Sequence, residues 1–137
     1  MAYNILLVDD SKTIRSILTK TLSLTSLPIN KIFEAGNGQE ALECLHTNWI
    51  DLVLTDLNMP VMGGIELVNT MTADDLLKDI PVIVVSTDAS ETRIEQLKGK
   101  GVREYIRKPF TPENIGEIIE KILEVANDRS KSQGIAK

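Results

Sequence analysis

Apolar residues along this chain follow two rhythms. Unbroken runs, Ile5-Leu6-Leu7-Val8, Leu52-Val53-Leu54 and Val82-Ile83-Val84-Val85, have the length and aliphatic content of strands covered on both faces. Lys31-Ile32-Phe33-Glu34-Ala35 and Glu104-Tyr105-Ile106 are shorter, more mixed versions of the same signal. Between the runs the spacing becomes helical. Ile14, Ile17, Leu18 and Leu22 share one face, as do Ala41, Leu42 and Leu45, then Ile65, Val68 and Met71, and finally Ile115, Ile118, Ile119, Ile122 and Leu123. A narrower stripe, Ile94 and Leu97, predicts a helix over about Glu91 to Lys98, closed by Gly99 and Gly101. Asp10 and Ser11 suit the start of the first helix, and Thr111 with Pro112 suit the start of the last. Five strands alternating with five helices predict an α/β fold with a parallel sheet and helices on both faces.

The polar residues at the end of each apolar run change the picture from architecture to chemistry. Asp9 and Asp10 come directly after the first run, and Asp56 stands just past the central one, where Met59-Pro60 prevents immediate helix formation. Ser86 closes the fourth run, and Lys108, its backbone restricted by Pro109, comes after the fifth. Ligands of open parallel sheets bind at the carboxyl ends of strands. A single aspartate before a helix is commonly a cap. Two adjacent acids and a distant third point instead to a site, provided their strands are neighbours. Such charges repel by roughly 1 to 4 kcal/mol per pair between bulk-water and protein-surface dielectrics, so a cation must offset them. All-oxygen ligation with room for water and a phosphoryl group suits Mg2+. Lys108 alone reads as a solvated surface lysine; beside three acids and the Ser86 hydroxyl it reads as a charge that stabilises a transferring phosphoryl group.

Composition then excludes several functions. The 137 residues make one domain with an ordinary apolar content of 42%. We expect that domain over residues 1–126, with a polar, disordered tail over 127–137. A net charge of -5 leaves no basic stripe for nucleic acid. The one cysteine, Cys44, forbids an internal disulfide and reads as a packing residue, and the one histidine, His46, reads as a surface residue. Trp49 reads as a packing cap where helix gives way to strand. No apolar run reaches membrane-span length and no secretory signal opens the chain, so a cytoplasmic protein without membrane contact is expected.

Five stretches together resemble the receiver domains of two-component response regulators, most closely the stand-alone chemotaxis type. They are Leu7-Val8-Asp9-Asp10-Ser11, Glu34 to Leu42, Thr55-Asp56-Leu57-Asn58-Met59-Pro60, Pro81 to Ser86, and Lys108-Pro109-Phe110-Thr111. The resemblance runs from about Tyr3 to Ala126 and implies a flavodoxin-like five-stranded sheet in the order 2-1-3-4-5, which sets the first and third strands side by side. It implies that Asp56 is the phosphoacceptor for a histidine kinase. Asp10, Asp56 and the backbone carbonyl of Asn58 would hold Mg2+, with Asp9 acting mainly through water. Ser86 and Lys108 would bind phosphoryl oxygens, and Tyr105 would be the switch aromatic. Asn58 and Asp88 would tune the signal's lifetime. Without the resemblance, Tyr105 is an edge-strand aromatic packed on the last helix, and Asn58 and Asp88 are polar loop residues.

Three positions depart from the usual pattern: Gly63 replaces an acid, Arg107 an apolar residue, and Thr87 a small one. The implied function is a single-domain phosphorylation switch whose output is a protein partner, such as a flagellar switch component or another relay protein. It would catalyse its own phosphotransfer and dephosphorylation but no metabolic reaction. The rivals are a magnesium-dependent aspartyl-phosphate phosphohydrolase and a non-phosphorylated adaptor. Asn58 stands where such hydrolases carry a second acid, and the complete acid, hydroxyl and lysine set argues against the adaptor.

Overall fold

The computed structural model describes residues 2–86, 95, 97, 99, 101–108 and 110–135, with side chains as far as 123. Its elements, in chain order, are β1 (Tyr3–Val8), α1 (Lys12–Ser23), β2 (Ile29–Ala35), α2 (Gly38–Thr47), β3 (Leu52–Thr55), α3 (Gly64–Thr72), β4 (Val82–Ser86), β5 (Val102–Arg107) and α4 (Pro112–Ile135). Most of the expected helix over Glu91 to Lys98 lies outside the described residues, although Glu95 and Leu97 are helical and Leu97 is buried. Thr87 and Asp88 also lie outside them.

All strand pairs are parallel, in the order β2-β1-β3-β4-β5. The interior strands β3 and β4 are buried at every position, which is why their sequences read as continuous apolar runs. Alternate side chains feed two cores. Leu6, Val8, Val53 and Val84 meet Ala41 and Leu45 of α2 and Leu67, Val68 and Met71 of α3. Ile5, Leu7, Leu54 and Ile83 meet Leu18 and Leu22 of α1 and Ile115, Ile119 and Leu123 of α4. The lateral strand β5 exposes Arg103 and Arg107, charges that discourage pairing with another sheet.

Helix starts fix the loops around the sheet's carboxyl edge. Ser11 caps α1 by accepting from the Ile14 N–H at 3.2 Å, which leaves Asp10 free of the capping role. Asn37 caps α2 at 2.9 Å, and Thr111 accepts from the Asn114 N–H at 3.2 Å ahead of Pro112. Gly63 opens α3 without a side-chain cap. At Gly64 a side chain is impossible, because a Cβ would stand 2.2 Å from the Asp56 carbonyl oxygen.

Two expectations change. Trp49 is 78% exposed rather than packed, its indole N–H donating to Asp51 Oδ1 at 2.9 Å. Tyr105 packs with the α2 and α3 core, on the opposite face from α4. The helical backbone of α4 runs on to Ile135. No glycine or proline interrupts residues 117–133, and each added residue of a formed helix gains a backbone hydrogen bond without needing burial. Among the described residues no helix is long and apolar enough to cross a membrane.

Candidate functional site

The register of β1 against β3 pairs Val8 with Thr55, so the chain leaves both strands at the same level. The Asp56 N–H donates to the Val8 carbonyl at 2.9 Å, and the Asp9 N–H donates to Ala35 of β2 at 3.1 Å. Asp9, Asp10 and Asp56 thereby converge, each offering a carboxylate oxygen within 4.8 Å of the others. Ser86 ends β4 on the same edge, buried, and its carbonyl accepts the Lys108 N–H at 3.1 Å. The lysine ammonium turns back over the acids, 3.3 Å from Asp9 Oδ2 and 3.7 Å from Asp56 Oδ2.

The three acids are not equivalent. Asp9 is 2% exposed, and burial pushes its carboxyl above the ordinary value of 3.8 despite the opposing pull of the Ser11 N–H and Lys108. Asp56 is half-buried; its Oδ1 accepts from its neighbour Leu57 N–H at 2.7 Å, leaving Oδ2 turned towards Lys108. Asp10 is exposed, and its side chain makes no hydrogen bond among the described residues. Three carboxylates facing one ammonium retain a net negative charge. This hard, all-oxygen donor set suits a divalent cation of the magnesium kind.

The loop after Asp56 is held rigidly. Met62 accepts from the Gly38 N–H at 2.9 Å, and the Gly64 N–H donates to Leu57 at 2.9 Å. Val61 adopts a positive φ of 66° between Pro60 and Met62, whose carbonyl and amide hydrogen-bond at 2.7 Å. A β-branched residue is strained there, so the loop's outer contacts impose the turn. Asn58 is exposed two residues beyond Asp56, and Tyr105 is half-buried at the β4 flank, paired in register with Val84.

The family model for the response regulator receiver domain matches residues 5–120. The chain belongs to that family. A chemotaxis protein CheY of Pseudomonas aeruginosa is 41% identical to this receiver over 123 residues, covering 90% of this chain and 98% of its own. Chemotaxis protein CheY1 of Helicobacter pylori is 42% identical, covering 87% and 95%. Among solved structures, a CheY-like receiver domain from Methanospirillum hungatei aligns with a TM-score of 0.83 at 25% identity, covering 94% of this chain and 99% of that one. A chain of the CheX–CheY–BeF3–Mg2+ complex from Borrelia burgdorferi aligns at 0.78 and 30% identity, covering 88% of each. The receiver's parallel sheet and strand order are those expected of the family, and this is a response regulator rather than a metabolic enzyme.

Sequence reasoning missed one residue beside the site. Arg15 of α1 donates through Nη1 to the Asp9 carbonyl and through Nε to Glu34 Oε1 at 3.1 Å. Its sequence signal was weak, because its partner Glu34 is an exposed strand residue that water alone can solvate.

Proposed function

We propose that this receiver takes a phosphoryl group from a histidine kinase onto Asp56 and thereby changes its affinity for a protein partner in a chemotaxis-type pathway. The observation that carries the reading is the convergence of Asp56 with two further acids under the Lys108 ammonium. Asp56 Oδ2 is the oxygen beside Lys108, with Oδ1 taken by the Leu57 N–H, and as nucleophile it attacks phosphorus. The new P–O bond forms as the P–N bond to the donor histidine breaks; its electron pair stays on the imidazole nitrogen. Lys108 and the Ser86 hydroxyl meet the charge on the phosphoryl oxygens. Asp10, Asp56 and the Asn58 carbonyl would hold Mg2+, with Asp9 acting through water. The ion's contribution is to offset the carboxylate and phosphoryl charges.

The switching step uses Tyr105, whose ring lies on the face shared with Leu97 and strand β4. Movement of the Ser86 hydroxyl towards the phosphoryl group frees space for the tyrosine to turn inward, a local charge event biasing a two-position side chain. Asn58 and Asp88 set the rate at which water attacks the aspartyl phosphate. The receiver unit is residues 1–126, it acts in the cytoplasm, and it contacts neither nucleic acid nor membrane. Its output partner is a flagellar switch component or another relay protein. The Borrelia complex supports a protein partner, since a CheY there is bound to another protein with BeF3 and Mg2+.

The test is the intact mass of the purified chain after incubation with magnesium and a small acyl-phosphate donor. One phosphate on the parent chain, absent from Asp56→Asn and from a chelated sample, is the expected result. No adduct together with no consumption of donor overturns the reading in favour of a non-phosphorylated adaptor.

A further inference from the structure

Asp9 is gripped at each of its polar atoms. Its N–H donates to Ala35, Oδ1 accepts from the Ser11 N–H at 2.8 Å, Oδ2 faces Lys108, and its carbonyl accepts from Arg15. The last contact serves no step of the phosphoryl chemistry, since Arg15 reaches the backbone of Asp9 and not the carboxylate. The same guanidinium is paired with Glu34 on β2, and Arg15 is only 17% exposed. Glu40 lies close by, its Oε1 accepting from the Gly36 N–H at 2.9 Å; a Cβ on Gly36 would stand 3.4 Å from that oxygen and 3.8 Å from Arg15 Nη1. With Glu34 paired to it and Glu40 near, the charge of Arg15 is balanced locally, and what it delivers to the site is geometry.

That geometry falls on the peptide joining Asp9 to Asp10. Asp10 has no side-chain hydrogen bond among the described residues, so the aim of its carboxylate depends on the plane of that peptide. We propose that Arg15 is a positioning residue: by clamping the Asp9 carbonyl to Glu34 of β2, it holds the Asp9 and Asp10 carboxylates towards Asp56. The role needs a fork. Nε and Nη1 donate in two directions at once, whereas a lysine ammonium on a flexible stem holds neither contact in fixed geometry. The magnesium arm of the test rests on the receiver reading above; the metal-free arm does not.

The test uses the full chain as the parent, Arg15→Ala, Arg15→Lys and Glu34→Gln, with the Asp10 and Ser11 amide resonances tracked with and without magnesium. Arg15→Ala is expected to shift both amides in the metal-free protein and to weaken magnesium binding about 10-fold or more, the usual effect of losing a group that orients a ligand. Arg15→Lys is expected to fall with Arg15→Ala, whereas Glu34→Gln, which can still accept from Nε, stays close to the parent. A lower melting temperature for Arg15→Ala, with unmoved amides and unchanged magnesium affinity, overturns the proposal and leaves Arg15 a merely stabilising contact. If Arg15→Ala does not fold, Arg15→Lys decides by the same readouts. If the parent binds no magnesium, the receiver reading fails, and the metal-free amide shifts still decide the role of Arg15.

Discussion

Strand β3 carries an aspartate at either end, Asp51 before Leu52 and Asp56 after Thr55, both half-buried, and the two differ in what their carboxylates meet. Asp51 accepts from the Asn4 N–H at 2.8 Å and from the Trp49 indole at 2.9 Å, one donor to each oxygen. Its surroundings extend the pattern: Asn4 donates to the Trp49 carbonyl at 2.7 Å and accepts from Asn30 at 2.8 Å. Asp56 instead has one oxygen facing Lys108 and two further acids beside it. An acid at a strand end becomes a chemical group when its neighbours oppose its charge and leave an oxygen open; neutral donors on both oxygens make it a structural fastener.

The largest effect that could break this contrast is on phosphate uptake. Asp56→Asn should abolish the mass adduct from an acyl-phosphate donor, whereas Asp51→Asn should form it at the parent's rate. Equal loss in both would mean that the sheet, rather than the Asp56 carboxylate, was being tested. Next comes Lys108→Ala. A preorganised charge on a developing anion is worth roughly 100-fold in rate, so uptake should slow by about that factor at saturating magnesium. An unchanged rate would show that the ammonium only offsets the acids' repulsion.

Stability should move in opposite directions at the two edges. The Asp9 carboxyl titrates above its ordinary value of 3.8, mainly because it is buried, so the folded chain holds that proton more tightly than the unfolded chain does. The contribution of Asp9 to stability is greatest with its carboxyl protonated, below the ordinary value, and is lost as pH rises through the raised one. Asp9→Asn should therefore melt a few degrees above the parent at pH 7 without magnesium, with the advantage fading as pH falls towards the ordinary value. Added magnesium should also narrow the gap, because it gives the ionised carboxylate a partner. Asp51→Ala should do the reverse, costing about 1–3 kcal/mol by leaving the part-buried Asn4 N–H without its acceptor, while the exposed indole turns to water. Denaturant melts of both variants across pH would read the two signs directly.

The site was legible in the sequence to the extent that it depends on where buried strands stop. Leu52 to Thr55 and Val82 to Ser86 are covered on both faces, so the end of apolarity coincides with the edge of the sheet, and Asp56 and Ser86 mark it. Neighbourhood was not legible from spacing. That β1 lies between β2 and β3 came from the resemblance, and the Arg15–Glu34 pair depends on the β1–β2 register that aligns Leu7 with Glu34. Trp49 was misread for a related reason: an apolar side chain at a junction gives no sign of whether the next layer covers it.

The smallest effect tests whether the two edges of the sheet are independent. Trp49 is the chain's one tryptophan, and it sits 78% exposed at the edge opposite the acids, bonded to Asp51. Its emission should therefore resemble that of a solvated indole and remain unmoved when magnesium or an acyl-phosphate donor is added. Trp49→Phe keeps an aromatic ring but removes the pyrrole half of the indole with its N–H, so the loss at this exposed position should be about 1 kcal/mol or less, with phosphate uptake unchanged. A clear emission change on adding magnesium would mean that charge at Asp56 is felt along β3 as far as Asp51. The four buried residues between them would then transmit strain rather than merely separate two aspartates of opposite character.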